Sequence, residues 1–343
     1  MLSLKKFFVL LFFIPVCSVA QEKQHVNMIR VTDANRVDIY IGKSLFTSFL
    51  FPDTLEKPVL FPLNDADNVP VTRGFPINPR PGEPSDHPHH IGLWFTYENV
   101  NGIDFWNNSY AISTDKKHLY GRIKTDSILQ VTSGKTGILL YHANWVNYLN
   151  QALMEEKTRY EFSGTNGERT IDRITDLKAD TDIILEDAKD GLLGLRLAKE
   201  LQIPSHQDQT YSDNKGNRTV VKKDIISNGN YLTSENITGD SAWGKRGRWC
   251  KVFGKIGTDS VSITIFDYPE NPNYPTFWHA RGYGLFAANP LGEKIFTNGK
   301  SAFHLTLKKG DIIRFRYRIL IQNGNTTPAL SELNEIAHEL DRK

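Results

Sequence analysis

Cysteine is almost absent from this chain: Cys17 and Cys250 are the two in 343 residues. Residues 1–20 read as a secretory signal peptide, with Lys5 and Lys6 ahead of the apolar run Phe7 to Val16 and the small-residue pattern Ser18-Val19-Ala20 at the cleavage point. Its removal would take Cys17 and leave Cys250 with no intramolecular partner. An exported chain without disulfides has to stand on its own hydrophobic core. Long apolar runs are missing too, because no later segment approaches the roughly 20 residues of a membrane-spanning helix. Charge of one sign is also lacking. With Lys5 and Lys6 gone, 39 basic residues face 39 acidic ones, which argues against a nucleic-acid partner or an anionic membrane surface. There is no phosphate-cradling glycine loop, no dinucleotide fingerprint, no paired-cysteine zinc site, no HExxH helix and no G-x-S-x-G elbow. The expected product is a periplasmic or secreted protein.

What remains is β-rich. Period-two alternation recurs: Phe315, Tyr317 and Ile319 with Arg314, Arg316 and Arg318; Val261, Ile263 and Ile265 with Ser262 and Thr264; Leu193, Leu195 and Leu197 with Gly194 and Arg196. That is the pattern of strands with one face inward and one in water. Turn signals such as Asn101-Gly102, Asn228-Gly229 and Lys309-Gly310-Asp311 punctuate the runs. Only Pro328 to Lys343 has a helical stripe, made by Leu330, Leu333, Ile336, Ala337 and Leu340. With no linker-like tract, residues 21–343 read as a single domain, all-β, a large antiparallel β-sandwich with a short C-terminal helix. The polar stretch Gln202 to Lys223 reads as an exposed loop or hairpin.

Three of the ten histidines, His87, His89 and His90, fall within four positions. Around them stand Arg73, Arg80, Glu83, Asp86 and Asp104, with Trp94 and Trp106 close behind. Proton-exchanging groups beside aromatic faces suit a polar ligand site. Pro88 is expected to hold His87 extended, so that HPHHIGLWF enters a strand with His87 and His89 pointing the same way. That arrangement would suit a divalent metal. His90 would share the opposite face with Trp94.

Three further segments carry candidate groups. In 182–198, read as two short strands around a turn, Glu186 and Arg196 form a cross-strand pair or line a cleft. In 240–250, Trp243 and Trp249 among Lys245, Arg246 and Arg248 suit either a sugar-stacking platform or a basic loop with two core tryptophans. In 267–290, His279 and Arg281 share one face of an extended run and Trp278 takes the other. Arg281 can grip a carboxylate and His279 can exchange a proton.

The runs VTRGFP (71–76), DHPHHIGLWF (86–95), VNGIDFW (100–106), EDAKDGLLGLR (186–196), AWGKRGRW (242–249) and FWHARGYGLFAANP (277–290) together resemble exported bacterial proteins of a family labelled methane oxygenase PmoA-like. The resemblance covers most of the chain after residue 20. It implies an architecture similar to galactose-mutarotase-like supersandwiches, in which histidines, an arginine and a carboxylate process sugars in an open groove.

The first expectation is therefore an exported carbohydrate-active enzyme working by acid/base hydrolysis, elimination or epimerisation on a small-molecule or oligosaccharide substrate. His87, His89, His90, Asp86, His279 and Glu186 are its candidate catalytic groups. Arg73, Arg281, Asp104, Trp106, Trp243 and Trp278 are the candidate substrate-binding residues. A non-catalytic glycan-binding module is the second reading. A metal-dependent oxygenase or hydrolase with a divalent ion at His87 and His89 is the third.

Overall fold

The computed structural model describes residues 22–205, 207–212, 218–221, 226–324 and 329–342. The signal-peptide reading of residues 1–20, with Cys17, lies outside them, as do parts of the expected loop Gln202 to Lys223 and the ends of the expected helix. Two eight-stranded antiparallel sheets face each other across one large apolar core. The front sheet runs in the order Val26–Val31, Arg36–Ile41, Ser44–Leu50, Val59–Leu63, Leu93–Tyr97, Gly191–Arg196, Leu285–Asn289 and Phe277–Ala280. The back sheet runs Asn230–Thr233, Trp249–Ile256, Asp259–Asp267, Ile312–Asn323, Glu168–Ala179, Ala152–Gly164, Gly137–Val146 and Arg122–Thr132. The architecture is thus the expected all-β sandwich.

Alternation sets which side chains meet. Phe315, Tyr317 and Ile319 enter the core, while Arg314 and Arg318 pair with Asp176 and Asp172 across the outer face. The strand Asp259–Asp267 departs from the expected pattern, because Ser262 and Thr264 are buried as well. The helix Leu330–Leu340 explains this: it roofs that outer face, packing Leu333, Ala337 and Leu340 on Trp249, Phe266 and Leu320. Arg248 and the Trp249 indole both donate to Asn334 Oδ1 of this helix.

Two local expectations fail. The strand Ile183–Leu185 does not fold back on Gly191–Arg196; it pairs with Leu305–Leu307. Both edges of Gly191–Arg196 are taken, by Leu93–Tyr97 and Leu285–Asn289, so no edge is free for a hairpin partner. The histidine run does not enter the sheet either. The strand starts at Leu93, and His87 has a left-handed φ of 46°, closing a turn in which the His90 amide donates to the His87 carbonyl at 3.0 Å.

An ionic cluster lies within the core. Glu156 accepts from Tyr141 Oη (2.6 Å), Trp145 Nε1 (2.8 Å), Thr158 Oγ1 (2.7 Å) and Arg173 Nη2 (2.7 Å). The Arg173 guanidinium in turn lies 4.5 Å from the Phe95 ring centroid of the front sheet, which ties the two layers together. Removing one charge of a buried pair strands the other, at a typical cost of about 3–5 kcal/mol. Glu156→Gln is therefore expected to lower the urea-unfolding free energy by roughly that amount, whereas Arg314→Ala, which breaks an exposed pair, should cost under about 1 kcal/mol. Equal losses would mean the core pair is not what couples the sheets.

Candidate active site on the outer face of the front sheet

Register places Trp94, Gly194, Ala287 and His279 side by side on four neighbouring strands. Directly opposed residues share a face, and this row faces away from the intersheet core. Its two small members let large rings lie flat against the sheet. A Cβ on Gly194 would come within 2.5 Å of the Trp94 indole and 2.7 Å of Trp106, so only glycine admits them. Trp94 and Trp106 pack 5.1 Å apart in a small apolar cluster of their own with Val59, Phe61 and Leu285.

The turn at 87–90 lies on this floor. Its rings form a column: His90 stacks on Trp94 (5.2 Å, 16°), His87 on His90 (4.9 Å, 2°) and Tyr283 on His87 (5.4 Å, 7°). His89 meets the column edge-on, 4.3 Å from His90. The expected side-by-side pairing of His87 with His89 is thus replaced by a stack of His87 on His90, because the left-handed residue reverses the chain. Among the described residues no group of three or more His, Cys, Asp or Glu side chains is arranged to hold a metal ion.

Two buried arginines hold the turn in place. Arg73 Nη1 donates to the Pro84 carbonyl (3.2 Å), the Asp86 carbonyl (2.8 Å) and Asp86 Oδ1 (2.9 Å), and its Nη2 donates to the carbonyls of His87 (3.0 Å) and His90 (3.1 Å). Arg196, next to Gly194 on the same face of its strand, donates from Nη2 to both Asp86 oxygens (2.9 and 3.1 Å) and from Nη1 to His90 Nδ1 (3.3 Å). His87 Nδ1 bonds the remaining side of Asp86. Burial alone would raise the Asp86 pKa. The Arg196 charge, the His87 hydrogen bond and the Arg73 charge outweigh it and hold the carboxyl well below the usual range. Burial also lowers Arg73, to about 9.

Other titratable groups crowd the same region. The buried His279 ring has Nδ1 3.6 Å from Asp190 Oδ1 and faces Trp243 and Phe296 edge-on. Arg281 lies 4.6 Å over the Trp243 ring. The Asp190 amide donates to Glu98 Oε2 at 3.0 Å. Burial drives the histidines of this face other than His87, the three carboxyl groups of Asp190, Glu98 and Asp104, and Lys57 toward their uncharged forms. His279, His89 and His90 fall well below the ordinary histidine value, and Asp190 rises. Glu98 is pushed to about 7 by burial and then by the Asp190 charge. Asp104, whose oxygens accept from the Asn107 backbone and side chain, reaches about 6 by burial. Lys57, donating to the Trp106 carbonyl at 3.0 Å, drops to about 7 by burial against the pull of Asp104 and Glu56.

The sequence candidates therefore separate. Asp86, His87, His89, His90, Arg73, Trp106, Asp104, His279, Arg281 and Trp243 gather on this face, with Arg73 and Trp106 fully covered beneath the turn. Trp278 points the other way into the intersheet core, its indole donating to the Gly247 carbonyl. Glu186 lies apart, exposed beside His304 at 3.4 Å, and the expected Glu186–Arg196 pair is replaced by Asp86–Arg196. In the 240–250 segment Arg246 is spent on Asn273, the Pro275 carbonyl and Glu293. Lys57, Glu98, Asp190 and Tyr283 escaped the sequence reading. For Glu98 the signal was present: counting by twos from Trp94 through Thr96 reaches it on the same face.

Residues 36–335 match the model of a family of unknown function, DUF6807. The chain belongs to that family. No curated protein matches it in sequence. Among solved structures, a galactose mutarotase-like protein from Clostridium acetobutylicum is similar at 8% identity and TM-score 0.39, covering 88% of this chain and 99% of that one. The GH36 α-galactosidase AgaB from Geobacillus stearothermophilus is similar at 6% identity and TM-score 0.35, covering 88% of this chain. Slr1438 from Synechocystis is similar at 7% identity and TM-score 0.33, covering 91% and 99%. The chain spans 41% of the AgaB chain. These are likenesses of general β architecture only.

Glu98 offers a pH test of the crowding. Its folded pKa, about 7, lies above the unfolded value of about 4.3. The stability it contributes is thus full below pH about 4 and is lost as pH rises through about 7. Glu98→Gln keeps a neutral group there and is expected to be more stable than the parent above pH about 7, by on the order of 1–3 kcal/mol, with the gap closing toward pH about 4. Urea unfolding across that range measures it, and a gap that does not grow with pH would sink the assignment.

Proposed function

We propose that this chain is an exported carbohydrate-active enzyme that moves protons on a sugar at the outer face of the front sheet. The carrying observation is a pair of histidines on that face, each backed by an aspartate of opposite character. His87 is bonded to Asp86, which two arginines keep ionised. A carboxylate bonded to one ring nitrogen orients the imidazole for proton exchange at the other, and His87 takes the donor role in this reading. His279 is held neutral by burial, and its Nδ1 has no hydrogen-bond partner among the described residues; a neutral imidazole accepts a proton. Asp190, close behind it, supports the imidazolium once formed. The two regions are linked electrostatically, since His87 bears on both His279 and Asp190.

Tyr283 and Trp243 flank these groups with aromatic surface, and Arg281 supplies a cation beside them. Apolar ring faces with fixed polar donors suit a pyranose, which has apolar CH faces and an equatorial belt of hydroxyls. The donor and acceptor favour epimerisation or elimination over hydrolysis. Two-carboxylate hydrolysis needs a free nucleophile or base, and Asp86 is spent on Arg73, Arg196 and His87. The similarity of the motifs to the exported PmoA-like family, and the signal-peptide pattern, belong to the same proposal.

Free sugars and uronates incubated with the protein would be followed by NMR for anomer or epimer exchange and by ultraviolet absorbance for unsaturated products. Turnover is expected from the parent protein, with His87→Gln and His279→Gln each lowering kcat by about 100-fold or more at unchanged circular dichroism. Sugar binding without turnover, undiminished in both variants, would instead establish a non-catalytic glycan-binding module.

A further inference from the structure

His89, edge-on to the ring column, also lines a small cleft of about 40 Å³ shared with Lys57, Ile91 and Asn108. That cleft does not end there. Thr54, Glu56 and Asn108 also line a larger one, of about 420 Å³, bounded by Tyr120, Tyr148, Arg122 and Lys124. Its inner end lies near the carboxylates of the candidate site: Asp104 bridges to Tyr120 through the backbone, and the charges of Asp104 and Glu98 both bear on the Tyr120 hydroxyl. The two clefts thus adjoin, with Thr54, Glu56 and Asn108 in the wall of both, between the histidine turn and the surface around Tyr148.

The far end is built to hold an aromatic ring in water. Tyr148 is 54% exposed at the tip of the turn joining Gly137–Val146 to Ala152–Gly164. That turn is tightly fixed: Asn147 Oδ1 accepts from the amides of Leu149 and Gln151 at 2.9 and 3.0 Å, and the Asn150 amide donates to the Asn147 carbonyl at 2.9 Å. An exposed tyrosine carried on a fixed turn presents a stacking face, and its side chain has only two torsions to order. The lining has three cations against two carboxylates, Asp53 and Glu56. Lys117 is consumed, donating to Glu56 Oε1, Asn108 Oδ1 and the Ser109 carbonyl. Arg122 pairs with Glu56 at 2.7 Å. Lys124, by contrast, rests on the neutral acceptor Asn150 Oδ1 at 2.6 Å and keeps its charge available.

We propose that this cleft is a distal subsite for an oligosaccharide, with Tyr148 stacking on a sugar ring and Lys124 pairing with an acidic group on the same unit. The inference rests on reading the histidine face as a sugar site, and it makes the substrate a chain bearing anionic units, not a lone monosaccharide.

Calorimetric titrations with oligogalacturonate, a chondroitin sulfate hexasaccharide and maltohexaose test it on the full chain. Oligogalacturonate is expected to bind, with Tyr148→Ala weakening it about tenfold and Lys124→Ala weakening it while flattening its salt dependence. Both residues are away from the core, so folding is not at stake. Equal behaviour with chondroitin sulfate alone would support the subsite with sulfate as the source of the anion. Maltohexaose binding as tightly, insensitive to Lys124→Ala, would overturn the acidic part. No oligosaccharide binding that depends on Tyr148 or Lys124 would overturn the subsite. Repeating the titrations with His279→Gln separates the two readings: binding that survives there, with no turnover by the parent, keeps the subsite and defeats the enzyme, whereas turnover of a short sugar unaffected by Tyr148→Ala does the reverse.

Discussion

One buried carboxylate organises the candidate site. Asp86 lies between the guanidinium groups of Arg73 and Arg196, both without exposed side-chain surface. Neither charge would be tolerable alone at that depth. Arg196 is anchored in a central strand of the front sheet, while Arg73 reaches five acceptors along the loop from Pro84 to His90. The triad therefore fastens an irregular loop to a rigid sheet. It also fixes the left-handed turn at His87, because two of the acceptors of Arg73 are the carbonyls that bracket that turn. The ring column follows, since with the turn fixed His90 has Trp94 beneath it and His87 above.

The sandwich was largely legible in the sequence. Period-two runs such as Phe315-Tyr317-Ile319 mark the faces of strands regardless of which strand lies beside them, and the apolar stripe of the last helix marks the face it buries. Pairing was less legible. Glu186 and Arg196 are close in the chain, and local proximity suggested a hairpin. The sheet gave both edges of Gly191–Arg196 to strands about a hundred residues away, and Arg196 found Asp86 instead. No period in one segment carries information about a partner that distant.

The site divided in the same way. Its histidines, Asp86 and Arg281 were visible because unusual residue types were concentrated in short runs. Trp278 and His279 show how alternation sorts such a run, one to the core and the other to the open face. The turn at 87–90 was misread because the residue before a proline is ordinarily extended. Here the carbonyl contacts of Arg73 and the stack of four rings outweigh that local preference. Glu98, Asp190 and Lys57 were missed for a different reason: as single charged letters they look like surface residues, and only burial makes them chemically distinctive.

Burial then does two opposite things within a few residues. Around Asp190 and Glu98, Lys189 at 3.3 Å from Asp190 does not offset desolvation, and at His279 the charges of Lys189 and Arg281 add to it, so all three groups are pushed toward neutrality. Around Asp86 two arginines and a histidine overcome the same desolvation, and the carboxylate stays ionised. The face thus sets one strongly ionised aspartate and one reluctant to ionise each beside a histidine, and burial pushes the second of these, His279, toward its neutral form. The difference between the two aspartates comes from Arg196, the hydrogen bond of His87 and Arg73, which together outweigh desolvation at Asp86. The sheet position of one arginine and the loop bonds of the other thus decide which of the two carboxylates stays ionised.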